Sequence, residues 1–124
     1  MVAKVVDASA LAAMIFEEPE AAEIEAKLAG AELYAPELLA YELANICVKK
    51  CRRDPELRST YLAAYAVIAR VVVEAMPVDH RAVPAFSLRT GLTAYDASYL
   101  WLAAELGLEL VTLDKELDRA ARAL

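Results

Sequence analysis

A chain of 124 residues with a net charge of −6 suits one domain and argues against broad electrostatic coating of nucleic acid, although a nucleic-acid substrate held locally through a metal stays open. Hydrophobic residues make up 60% of it, against three glycines and five prolines, which excludes a disordered chain and indicates a helix-rich globular one. No charged-then-apolar leader opens the sequence and no apolar run approaches the ~18–20 residues of a membrane span, so a cytoplasmic location with no membrane partner is expected.

In chain order, Val2-Ala3-Lys4-Val5-Val6 is a β-branched run that stops at Asp7 and reads as the first strand. Helical spacing follows at once through Ala8, Leu11, Ala12 and Ile15, with the oxygens of Asp7 and Ser9 placed to satisfy free N–H groups at the helix start. A second helix is predicted from Glu18-Pro19 to just before Gly30, then a strand over Glu32 to Ala35, and Pro36 opens a third helix over about Glu37 to Cys51. Between Leu38 and Val48 the charged or amide residues of that helix are Glu42 and Asn45, three apart on one face, and Lys49 extends the stripe. An ionised carboxylate there needs a cation, a donor or a wet cleft. Cys47 and Cys51 on the same helix have Cβ atoms ~5–6 Å apart, too far for a bridge, and read as small buried hydrophobes. The absence of glutamine, with Asn45 the sole asparagine, hints at a thermophilic source.

Asp54-Pro55 restarts the chain as a long helix predicted to reach about Glu74, followed by a third strand over Ala75 to Val78. Tyr61, Tyr65 and the stretch from Val67 to Val73 read as packing or a subunit interface. Asp79 is expected to cap a short helix ending near Leu88, and His80 reads as a surface or capping residue, not a ligand. Thr93 is a natural N-cap, with Asp96 three residues on completing a capping box. Ala97, Leu100, Trp101, Ala104 and Leu106 then carry a helical period to Gly107, suited to a left-handed C′ position. The run Leu110-Val111-Thr112-Leu113 has the length of a buried strand and stops at Asp114, where the last helix begins and runs nearly to Leu124. Strands alternating with helices indicate an α/β fold with a parallel sheet.

Two strands thus end in aspartate, at Asp7 and Asp114, and Asp96 stands at a helix start. Each has an ordinary explanation as a helix cap, whereas Glu42 has none. Jointly they say more, because parallel strands gather their carboxyl ends at a switch point, and carboxylates collected there repel one another unless a cation compensates. Oxygen donors without histidine or cysteine suit Mg²⁺ or Mn²⁺, an ion that can activate water and neutralise a phosphodiester. This is the logic of a metal-dependent nuclease.

The stretches VVDAS at Val5–Ser9, ELAN at Glu42–Asn45, LTAYDASY at Leu92–Tyr99 and LVTLD at Leu110–Asp114 together resemble the PIN domain. More narrowly, the pattern is similar to the toxin ribonucleases of VapBC toxin–antitoxin pairs. The resemblance runs over nearly the whole chain, so residues 1–124 are expected to form a single PIN domain, an α/β/α sandwich around a central parallel sheet. It implies that Asp7, Glu42, Asp96 and Asp114 are the catalytic, metal-binding acids, and that Ser9 and Asn45 are accessory residues orienting carboxylates or water. It further implies a homodimer that cuts single-stranded or structured RNA with Mg²⁺ or Mn²⁺ and is held in check by a small antitoxin protein. Many relatives continue into a short final strand for which this sequence shows no room, and no zinc ribbon or second domain is evident, which favours a stand-alone toxin.

The basic cluster Lys49, Lys50, Arg52 and Arg53 is either an ordinary solvated helix end or a contact for RNA phosphates leading towards Glu42, and Arg89, read in the loop before Thr93, is a further RNA contact candidate. Rival readings are an RNA-processing or catalytically silent PIN fold that binds RNA or protein, and a phosphoacceptor signalling domain. The last would use Asp79 after a central third strand, but lacks paired acids after the first strand. An Asp-x-Asp phosphatase is disfavoured because Ala8-Ser9 follows Asp7.

Overall fold

The computed structural model describes residues 2–124. Among these, four strands and seven α-helices follow one another as β1 (Ala3–Val6), α1 (Ala8–Ile15), α2 (Ala21–Leu28), β2 (Glu32–Pro36), α3 (Leu38–Arg53), α4 (Arg58–Ala66), β3 (Val73–Met76), α5 (Val83–Thr90), α6 (Ala94–Leu106), β4 (Glu109–Val111) and α7 (Lys115–Arg122). Short 3₁₀ turns over Pro55–Leu57 and Val67–Arg70 flank α4.

All strand pairs are parallel, in the order β3-β2-β1-β4. Lys4 faces Leu33 on one side and Glu109 on the other, which makes β1 a central strand. The chain therefore steps one way from β1 to β3 and then crosses back over the sheet to β4. With right-handed crossovers, this reversal puts α1 to α4 on one face and α5 and α6 on the other. The packing agrees, since α1 lies against α2 and α3, and α3 against α4, while α6 covers β1 and β2 with α5 beside it. The result is the expected α/β/α sandwich, with α7 closing against α6 and β4.

The core follows the expected periods in β1 and α1 but only partly in α6, where Ala97 and Leu100 are buried while Ala104 and Leu106 are exposed and Leu102 and Ala103 are buried in their stead. Val5 and Val6 of β1, Leu11 of α1, Ile24 of α2, Leu100 and Leu102 of α6 and Leu117 of α7 are almost wholly buried. Burying each of these side chains stabilises the fold by roughly 1.5–3 kcal/mol before entropy is counted. No helix among the described residues is long and apolar enough to cross a membrane. Cys47 and Cys51 are free thiols, Cys47 buried and Cys51 half-buried. Tyr61 packs edge-on against Phe16, ring centroids 6.0 Å apart, and Tyr65 lies against the core, so both rings serve intrachain packing.

Several expected boundaries move. The helix after Pro55 does not reach Glu74, because α4 ends at Ala66 and Val73 and Glu74 already belong to β3. Three successive valines, Val71 to Val73, explain the early break, since β-branched side chains lose freedom on a helix and fit a pleated sheet. The third strand is accordingly Val73–Met76, not Ala75 to Val78. Asp79 caps no helix. Its carboxylate accepts from the Arg81 N–H at 3.0 Å in a turn, and α5 starts later, with Pro84 in its first turn, and runs to Thr90. That extension places Arg89 in the last turn of α5 instead of a loop. The second helix starts at Ala21 after a turn at Glu18, and β4 stops at Val111, which leaves Thr112 and Leu113 beyond the strand.

The third strand lies at the edge of the sheet. A phosphoacceptor aspartate needs a central strand beneath it, so Asp79 cannot play that part.

Candidate active site

The strand order sets up the site. β1 and β4 are neighbours, yet the connections leaving them run to opposite sides, so their carboxyl ends flank a switch point. Asp7 follows β1 there, and its N–H still donates to the Val111 carbonyl at 3.2 Å. Its side chain is buried and accepts three hydrogen bonds. Oδ1 takes the Ala10 N–H at 3.0 Å and the Ser9 hydroxyl at 2.7 Å, and Oδ2 takes the Thr112 hydroxyl at 2.5 Å. Asp7 is therefore the N-cap of α1 as well as a group facing the cleft. Burial pushes its pKa up, the Thr112, Ala10 and Ser9 donors pull it down, and the nearby Asp114 charge raises it further.

Thr112 ties the two strand ends together. It donates to Asp7 while accepting the Asp114 N–H at 3.0 Å, and the Ser9 hydroxyl beside it accepts the Leu113 N–H at 3.0 Å. Asp114 is exposed and caps α7, its Oδ1 accepting from the Leu117 N–H at 2.9 Å. Glu42 enters from α3, half-buried, and accepts the hydroxyl of Tyr99 at 2.6 Å. Burial raises its pKa most, the Tyr99 hydrogen bond lowers it, and the Asp7 charge raises it again. The same arrangement drives the Tyr99 phenol upward, through burial first and then the carboxylate it serves.

Asp96 lies in the first turn of α6. The cap is one-sided: Thr93 Oγ1 accepts the Asp96 N–H at 3.1 Å, while among the described residues the Asp96 carboxylate receives no hydrogen bond. The expected capping box is thus half made, and the carboxylate is left for the cleft. Its pKa is pushed up to about 6, by burial first and then by the charges of Asp114, Glu42, Asp7 and Glu116.

These four acids line one cleft of about 250 Å³, with Ser9, Asn45, Lys49 and Tyr99 also on its wall. Of the basic candidates, Lys49 alone is on that wall. Lys50 pairs with Glu18 at 3.3 Å and lies over the Phe16 and Tyr61 rings, and Arg53 bonds Asp54 at 3.0 Å. Arg52 lines a separate depression with Cys47 and Leu62, and Arg89 lies over the Phe86 ring, 5.1 Å from its centroid. His80 is exposed and lines another depression, not the acidic cleft.

Neither Thr112 nor Tyr99 stands out from the sequence as a site residue. Thr112 had one signal, a hydroxyl in an otherwise apolar run that must find a partner once buried. Tyr99 stands three residues after Asp96, hence on the same helix face, but its phenol finds Glu42 only through the tertiary fold.

The sequence matches the PIN domain family over residues 4–123. The chain belongs to the PIN domain family. Among relatives, Ribonuclease VapC3 of Pyrobaculum aerophilum is 34% identical over 125 residues, covering 97% of this chain and 95% of that protein. Ribonuclease VapC9 of Mycobacterium tuberculosis is 32% identical over 119 residues, covering 96% and 91%. The crystal structure of PAE2754 from Pyrobaculum aerophilum superposes with a TM-score of 0.73 at 28% identity, covering 98% of this chain and 87% of that one. The PIN fold thus extends across nearly the whole chain, and the acidic cleft occupies the carboxyl edge of its sheet.

The donor chemistry of this PIN cleft fits a hard divalent cation, since its acidic groups are all carboxylates and its other polar walls are hydroxyl, amide and ammonium groups. Among the described residues no three His, Cys, Asp or Glu side chains close into a finished coordination cage. Asp7, Glu42 and Asp114 are each held by a hydrogen-bond donor. A small cation that keeps several of its waters and takes one or two carboxylates directly suits such an open arrangement better than a closed cage.

Proposed function

We propose that this chain is a metal-dependent ribonuclease, the toxin of a toxin–antitoxin pair, working in the cytoplasm as a homodimer of single PIN domains. The observation that carries the proposal is the shared cleft of Asp7, Glu42, Asp96 and Asp114, where Asp96 is pushed to about 6 partly by the other three charges. Carboxylates gathered this way store repulsion that a divalent cation relieves. The names of the relatives, VapC ribonucleases, support RNA as substrate and an antitoxin as partner.

Asp7, Glu42, Asp96 and Asp114 would hold Mg²⁺ or Mn²⁺, which would supply a Lewis acid for activating water and neutralising charge on the phosphodiester. The remaining work falls to the chain. Thr112 and Ser9 fix the rotamer of Asp7, and Tyr99 fixes Glu42, so the acids are held in place before substrate arrives. Asn45 and Lys49, on the wall beside Glu42, offer an amide and a cation to a phosphate entering the cleft. Hydrolysis by in-line attack of water breaks the bond to the 3′ oxygen and leaves a 3′-hydroxyl and a 5′-phosphate. A cationic side chain from the antitoxin, most simply an arginine, inhibits by pairing with the same acids.

The test is cleavage of an end-labelled RNA by the purified protein. Cutting is expected with Mg²⁺ or Mn²⁺, none in excess chelator, and none after the cognate antitoxin is added. Cutting that persists in chelator, or products ending in cyclic phosphate, contradicts the mechanism. Sedimentation at micromolar concentration tests the dimer, and a strict monomer refutes it.

A further inference from the structure

Beside the acidic cleft lies a larger depression, about 570 Å³, at the same carboxyl edge of the sheet. It runs between the ends of β2 and β3, at Pro36 and Met76, and the N-terminal turns of α3 and α6. Tyr41 and Tyr95 stand on its walls, 77% and 62% exposed, and neither ring stacks on another described aromatic ring. Each immediately precedes an acid of the cleft, Tyr41 before Glu42 and Tyr95 before Asp96. His80 and Glu37 line the same depression and add polar groups beside the rings.

We propose that this depression is a nucleobase subsite, in which an unpaired base of the RNA stacks on Tyr41 or Tyr95 while the adjoining phosphodiester lies in the acidic cleft. The proposal rests on the ribonuclease reading and deepens it by naming what holds the strand. A chain of net charge −6 with four acids at its centre cannot gain much affinity from the phosphate backbone. Base–aromatic stacking needs no charge and tolerates sequence, and it is how proteins grip single-stranded RNA. The position is also the expected one, since open parallel sheets take ligands beyond the carboxyl ends of their strands. A volume of this size is that of an ordinary small-ligand site. A duplex could not use it without unpairing. Docking of a second copy fits less well, because no lysine or arginine lines the depression among the described residues, and self-association there would set Glu37 and the adjoining acids of two copies against one another.

The experiment measures KM and kcat on a short single-stranded RNA for wild type, Tyr41→Ala and Tyr95→Ala, with Tyr→Phe at both positions as controls that keep the ring. Both rings are exposed, so melting temperatures should be unchanged. The Ala variant of the ring that carries the stack should raise KM about tenfold or more, and the Phe variants should stay near wild type. An abasic nucleotide walked along the RNA should cost wild type a similar factor at one position near the cut and cost that Ala variant little more there. Unchanged KM in both Ala variants, or additive losses at every abasic position, overturns the subsite. The same holds if the Ala variants change sedimentation and leave KM alone, since the face is then a contact between copies. Absence of cutting by wild type overturns the ribonuclease reading and the subsite with it, whereas cutting with unaltered KM overturns the subsite alone.

Discussion

Asp96 is the side chain on which cap and chemistry separate most clearly. The helix start is held by Thr93 accepting the Asp96 N–H, a bond that involves none of the carboxylate. Asp96→Asn therefore leaves the cap intact and removes one charge from a crowded set, so the variant should be at least as stable as wild type near neutral pH. Its metal-dependent activity should fall by more than about 100-fold, beyond the typical loss for a residue that only supports a ligand. The pH dependence follows from the same group. Its pKa is about 6 in the folded protein against an ordinary 3.8, so between these values the folded state holds more protons than the unfolded chain. This contribution to stability is complete below about pH 4, is lost as pH rises to about 6, and is flat above. Thermal melts from pH 4 to 7 should show a fall in wild type that is smaller in Asp96→Asn. A saturating divalent cation should flatten the wild-type curve, and a variant that melts with the wild-type slope would contradict this assignment. Activity should run the opposite way and decline below about pH 6, as protons compete for the carboxylates. Asp7, Glu42, Asp96 and Asp114 could be singled out from sequence because each stands where local pattern marks it, at a strand end, at a helix start or on the polar stripe of an otherwise apolar helix. Thr112 offers only a lone hydroxyl in an apolar run and Tyr99 only its place on the Asp96 face, because their partners stand 105 and 57 residues away along the chain.

At the scale of elements, termination signals were more legible than extents. Gly107 ends α6 with φ of +66°, as its place in the sequence indicates, whereas Gly91 ends α5 with φ of +76°, beyond the end expected near Leu88; both lie in the left-handed region that side chains disfavour. A Cβ at Gly107 would meet nothing within 4 Å, so its replacement costs conformational energy alone. Gly107→Ala should lower stability by about 1–2 kcal/mol, readable in urea melts, with activity at the distant cleft unchanged. A neutral effect would mean that the α6–β4 turn relaxes to another conformation. The stretch from Ala66 to Met76 shows where local pattern gives out. Helical spacing and β-branched valines compete over these residues, and the pairing of Leu33 with Val73 decides for the strand. Likewise Asp79 has the side chain of a cap, yet Val83 and Phe86 bury a face of α5 that begins beyond it.

For the whole molecule, the acids come together because β4 inserts beside β1 after a crossover from the far edge of the sheet. Alternating strands and helices announced a parallel sheet, but strand order is a long-range property, and here it determines which strand ends adjoin. That topology puts Asp7 and Asp114 at one switch point and leaves α3 and α6 to bring Glu42 and Asp96 from opposite faces. On the proposed reading these four carboxylates, preset by Tyr99, Thr112 and Ser9, form one divalent-cation site. Titration of Mn²⁺ followed by electron paramagnetic resonance reads this directly, without substrate. Wild type should bind Mn²⁺ saturably, Asp96→Asn should bind it far more weakly, and Tyr99→Phe, which keeps the ring but frees Glu42, should lose about 10- to 100-fold in affinity. Saturable binding that is the same in all three proteins would rule out a shared site at these acids.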